Sequence, residues 1–240
     1  MDKAATVQIQ GNKGYQNLVA FAKAIPNSYA TTMFSESRGV GIALLALTLV
    51  SPIVGLSGLL GLILGMLVSR ILGFEGWDSS SGVLGFNSLL ISLAIAYYYP
   101  LAAMRLSVFP FLGLLVVASI CTLLLYVGIN YLTQSWFKMP SMSLAFSISA
   151  TFFWYYMVRS GYFTGSGFLK PLLIDMNLSL PWFWNDYFLS MASIMFVPDI
   201  VVGMAVALVL FCISRIGFML SLLGWSICAI LLQYSNMGST

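Results

Sequence analysis

Apolar residues in this chain come in long unbroken runs, without the three-to-four or two-residue rhythm of an element that is buried on one face only. From Gly39 to Leu72 the only charged residue is Arg70. That length is enough for two crossings of a bilayer at about 20 residues each, and it predicts a tight helical hairpin turning at Ser51-Pro52. Further apolar helices are predicted at Val83 to Tyr99, closed by Pro100, at Val108 to Leu132, and at Leu144 to Val158, the last short for a full crossing. Trp182 to Phe196, Ile200 to Ile213 and Gly217 to Leu232 follow. Near the start, Leu18 to Ile25 is too short to span, and Pro26-Asn27 is expected to break it before Ser28 to Phe34. Polar stretches separate these runs: a tail over 1–16, a loop over Gly73 to Ser81 with Glu75, Trp77 and Asp78, and a Gly- and Pro-bearing linker over 159–181.

The pattern also repeats. Ala30-Thr31-Thr32-Met33-Phe34, with Gly41 seven residues after the Phe, returns as Ala192-Ser193-Ile194-Met195-Phe196, with Gly203 again seven after. One residue out of that register, Ser51-Pro52-Ile53 and Leu59-Leu60-Gly61 return as Ser214-Arg215-Ile216 and Leu222-Leu223-Gly224. Internal duplication in a chain of this kind points to two related halves around a path through the bilayer. The expected organisation is a tail at 1–16, a first membrane repeat at 17–158, a linker at 159–181 and the start of a second repeat at 182–240. By the length of the first, the second would need roughly eighty more residues, so about one and a half repeats are expected. An odd number of spans in the first repeat would turn the second upside down.

Composition supports a membrane setting. Hydrophobic residues make up 60%, charged residues 7%, and mean hydropathy is +0.97; a soluble domain carries about 25% charged residues. The net charge of +3 sits mostly at the ends of apolar runs, which makes it a topology signal and no nucleic-acid surface. Lys3, Lys13, Lys23, Arg70, Lys138 and Arg215 on one side, against Arg105, Arg159 and Lys170 on the other, favour a cytoplasmic N-terminus. Residues 1 to 28 hold no apolar stretch with a cleavage site, so the first spans are expected to direct insertion themselves. Cys121, Cys212 and Cys228 lie in apolar runs without paired spacing and read as buried small hydrophobes.

The chain has no histidine, which removes the commonest general base and most zinc sites. Asp78, Asp175 and Asp186 fall in loops, and no nucleophile or phosphate-binding motif is present. An enzyme is not expected, and no cofactor is implied. What remains is a set of neutral polar and aromatic residues at broken helix ends. Pro140 and the hydroxyls of Ser141 and Ser143 precede a short span, and Asn87 stands at the head of another. Such ends could line a pore for an uncharged hydrogen-bonding solute, or Ser143 and Asn87 could simply cap helices. Glu36-Ser37-Arg38 and Asp199 stand at equivalent junctions, where a cap or an interfacial ion pair is the commoner explanation.

Three blocks together resemble the urea transporter family: the Phe-to-Gly step at Phe34 and Gly41 and at Phe196 and Gly203; Gly85-Phe86-Asn87-Ser88, similar to Gly-Tyr-Asn-Gly; and Met139-Pro140 through Phe146, similar to Leu-Pro-x-x-Thr-Leu-Pro-Phe. The resemblance implies an all-α polytopic membrane protein with inverted repeats and broken or half-spanning helices, the first repeat complete and the second partial. It also implies a homotrimer in the bacterial inner membrane, passing urea or a similar small neutral amide through an aromatic-lined slot in each protomer. By position, Phe34 and Phe196 would be slot aromatics, Leu90 a slot aliphatic, and Ser143 the hydroxyl at the constriction. Thr31 and Ser193 stand where the family often has Gln or Glu, so a shorter, weaker acceptor would face the amide. Two other readings are a membrane subunit of a redox-driven ion pump of related fold, whose covalent flavin motif is missing here, and a non-transporting membrane scaffold.

Overall fold

The computed structural model describes residues 19–74, 82–99, 108–161 and 181–237, with side chains through Leu231. Among these residues all regular structure is helical: α1 (19–31), α2 (Arg38–Thr48), α3 (Pro52–Ile71), α4 (Val83–Tyr98), α5 (Val108–Phe137), α6 (Leu144–Arg159), α7 (Trp182–Ser193), α8 (Ile200–Ile213) and α9 (Arg215–Met237). The tail at 1–16, most of the linker, the loop with Glu75, Trp77 and Asp78, and Arg105 lie outside the described residues. By length and apolarity α3 and α5 are each sufficient to cross a membrane, and α2, α4, α8 and the Arg215–Leu231 part of α9 are shorter apolar helices.

At the centre is α4, in which every residue from Leu84 to Ala96 is buried. Three serines make close packing possible there. Ser88 Oγ donates to Ser119 O in α5 at 3.1 Å, and the hydroxyls of Ser92 and Ser119 meet at 2.9 Å. Gly61 and Gly65 of α3 lie so close to the same Ser92 and Ser88 that a Cβ at either position would overlap them. Around this core the outward faces carry Leu56, Phe109, Val117, Leu124, Phe152 and Tyr155, the apolar exterior of a protein whose solvent is hydrocarbon. Cys121, Cys212 and Cys228 are on these outward faces and not in the packed interior; a lipid surface satisfies a small apolar side chain as well as a core does.

Two other expectations are corrected. Pro26 does not break its helix, because α1 runs through it. A mid-helix proline removes one backbone hydrogen bond, at about 3 kcal/mol. Burial of Ala24, Ser28, Tyr29 and Ala30 on both sides offsets that loss, and Ser28 Oγ anchors the helix to Gly82 O at 2.9 Å. Nor do α2 and α3 form a side-by-side hairpin. Ser51, extended at φ −105 and ψ 96, interrupts the chain, Pro52 opens α3, and α3 then packs mainly along α4.

Candidate functional site

The two copies of the repeated motif fold into the same helix ending. At the end of α1, Phe34 N–H bonds Thr31 O at 3.0 Å and Ser35 N–H reaches back to Ala30 O at 3.1 Å. At the end of α7, Phe196 N–H bonds Ser193 O at 3.0 Å and Val197 N–H reaches Ala192 O at 3.4 Å. This is the bonding of a Schellman ending, which turns the chain through a left-handed residue that is usually Gly. Here a phenylalanine holds that position in each copy, with φ 54 at Phe34 and φ 56 at Phe196. A left-handed residue with a Cβ costs about 1–2 kcal/mol, and such strain concentrates where a side chain must be aimed. Seven residues on, Gly41 and Gly203 complete each motif: a Cβ there would overlap the carbonyl oxygen of Pro26 or of Phe188.

Between the two endings lies a cavity of about 330 Å³. It is lined by Thr31, Thr32 and Phe34 from the first, by Ser193, Ile194 and Phe196 from the second, and by Phe86, Leu90, Ser143, Phe146 and Ser147 from α4 and α6. The six residues that the family resemblance singled out, Phe34, Phe196, Thr31, Ser193, Leu90 and Ser143, are brought to this one space, whereas Asn87 and Ser141 are not in its lining. Sequence reasoning passed over Phe86 and Phe146 as candidates, although both sit inside the quoted motifs. Their signal was register: Phe86 lies one helical turn before Leu90, and Phe146 one turn after Ser143.

The lining is uncharged, and its hydroxyls other than that of Ser143 are oriented. Thr31 donates to Asn27 O at 2.8 Å, Thr32 to Tyr29 O at 2.6 Å, Ser193 to Ser190 O at 2.6 Å and Ser147 to Ser143 O at 3.2 Å. With its proton committed to the helix, Ser193 Oγ can offer the cavity only lone pairs. Ser143 occupies the N-cap position of α6 but makes no side-chain cap bond, so its hydroxyl does not serve the capping role. Asn87 is no cap either, since it lies one turn inside α4 and donates to Met142 O at 3.2 Å. Of the junction residues, Asp199 caps α8 by accepting from Val201 N–H and Val202 N–H, whereas Ser37 makes no such bond to α2.

Comparison with protein families bears directly on this arrangement. The family model described as urea transporter matches residues 22–239. The chain belongs to the urea transporter family. Among curated proteins none matches it. A urea transporter is an integral membrane protein that moves urea across membranes, so the apolar exterior faces lipid and the function is transport. The match extends from α1 into the C-terminal residues and so takes in both Schellman endings and all of the cavity lining.

Proposed function

We propose that this urea transporter family member passes urea, or a similar small neutral amide, down its gradient by a channel-like route through the α1/α7 cavity. The supporting observation is the lining: Phe34, Phe86, Phe146 and Phe196 surround a space whose polar side chains are hydroxyls, several with their protons turned away. Urea is flat, rich in N–H donors and poor in acceptors. A narrow space with aromatic walls and oxygen lone pairs can replace its hydration shell while leaving a hydrated ion without compensation. Phe34, Phe196 and Leu90 are the slot walls in this reading, Thr31 and Ser193 receive the amide, and Ser143 stands at the constriction. Because a hydroxyl reaches less far than Gln or Glu, affinity is set low. In the wider reading, 17–158 and 182–240 are the two membrane repeats, related by inversion, and the protein is a homotrimer in the bacterial inner membrane with a cytoplasmic N-terminus, the side favoured by Lys3, Lys13 and Lys23.

The test is stopped-flow urea permeability of proteoliposomes holding folded protein. Saturable urea flux is expected, and Phe34→Ala should widen the slot and admit larger amides. Unchanged flux and selectivity in Phe34→Ala would remove the slot. No flux from folded wild-type protein would favour the scaffold reading.

A further inference from the structure

Between α5 and α6 the chain is non-helical, and Ser143 at the end of this segment lines the cavity. Its backbone is strained, with φ 54 at Lys138 and φ 43 at Met142, both carrying side chains. A turn of this kind keeps one shape only if its surroundings hold it. Two buried amides meet it from different helices. Asn87 of α4, fully buried, donates from Nδ2 to Met142 O at 3.2 Å. Asn130 of α5, 1% exposed, accepts at Oδ1 from Ser141 N–H at 3.0 Å. One amide acts as donor and the other as acceptor, and the two bonds bracket the dipeptide immediately before Ser143. The arrangement has no reserve: Asn87 Oδ1 and Ser141 Oγ are both buried with no partner among the described residues. An apolar residue would fill the Asn87 position without an orphaned oxygen, so what the amide contributes is its N–H.

We propose that Asn87 and Asn130 are positioning residues, a two-sided clamp that fixes the depth of the Ser143 hydroxyl in the cavity and so sets which small neutral solutes pass. The clamp stands on the hydrogen bonds; its consequence for selectivity rests on the transport reading above.

The experiment uses the full chain in proteoliposomes, with urea and thiourea as probes, together with amide hydrogen exchange at Ser141. Asn130→Asp keeps an oxygen acceptor for the Ser141 N–H, whereas Asn130→Leu and Asn87→Leu remove one bond each at similar volume. Asn130→Asp is expected to retain slow Ser141 exchange and the wild-type urea-to-thiourea flux ratio. Asn130→Leu should speed Ser141 exchange by roughly fivefold or more, the scale of one lost hydrogen bond. Both leucine variants should shift the flux ratio and the half-saturating urea concentration by a similar factor, with the unfolding temperature near that of wild type. If a leucine variant fails to fold, Asn87→Ser or Asn130→Ala takes its place. The proposal is overturned if folded bond-removing variants keep wild-type exchange and flux ratio, or if Asn130→Asp is as impaired as Asn130→Leu. Absence of saturable urea flux in the wild type would remove the transport reading alone, because Ser141 exchange across the series still decides whether the amides hold the turn.

Discussion

The two copies of the motif share a backbone but not an environment. Phe34 and Phe196 have the same left-handed φ, and Gly41 and Gly203 press on equivalent carbonyls. Yet Phe34 is 76% exposed, while Phe196 meets the rings of Tyr97, Tyr98 and Phe146 at centroid distances of 6.1, 6.4 and 6.2 Å. The following helices differ likewise. Gly61 and Gly65 of α3 are buried against α4, whereas their counterparts Gly224 and Cys228 of α9 are exposed. Local geometry at these endings is therefore written into the short motif, and burial is supplied by whatever packs on it. A bulky left-handed residue that persists at 76% exposure is held by its own helix ending and not by a surrounding cage.

Substitutions can separate what the copies share from what they do not, with stability read by thermal unfolding in detergent. The largest losses are expected at the shared contact: Gly41→Ala and Gly203→Ala each push a methyl group into a backbone carbonyl and should cost about 3 kcal/mol. Unequal losses would show that the two endings are not mechanically equivalent. Next, Gly61→Ala should cost about 2 kcal/mol through overlap with Ser92 and Ser88. Gly224→Ala meets nothing within 4 Å among the described residues. It should gain up to about 1 kcal/mol from helix propensity, and a loss there would mean that the α9 face is covered. Third, Phe34→Gly should stabilise by about 1 kcal/mol by relieving left-handed strain while admitting larger amides, as expected of Phe34→Ala. Phe196→Gly gives up three ring contacts and should show no gain. Smallest is the cap: Asp199→Ala should lose about 0.5–1 kcal/mol, and Ser37→Ala almost nothing, because only Asp199 bonds its helix start.

How far these features could be read from the chain depends on how local they are. Ile200–Ile213 and the starts of α4, α5 and α6 follow from apolar runs bounded by Gly, Pro and polar residues, and the structure has those boundaries within a residue. The Phe-to-Gly spacing was visible because a helix ending needs only its own few residues. Pro26 misled, since whether a proline breaks a helix is decided by tertiary burial. The bonds of Asn87 and Asn130 were not legible, because they reach Met142 and Ser141 in the non-helical turn before α6. The cysteines were placed inside by a rule for water-soluble cores, and lipid removes the distinction that rule uses.

The orientation of the cavity hydroxyls bears on bioenergetics. A file of water can pass a proton by reorienting in turn, and side chains assist it when they titrate or can swap donor and acceptor roles. No residue of the lining carries a titratable side chain in the physiological range, and Thr31, Thr32, Ser147 and Ser193 all direct their protons back into helix carbonyls. In the proposed route these four residues offer acceptors to the solute and add no side-chain relay for protons, one requirement of a passive path that spares the electrochemical gradient across the same membrane.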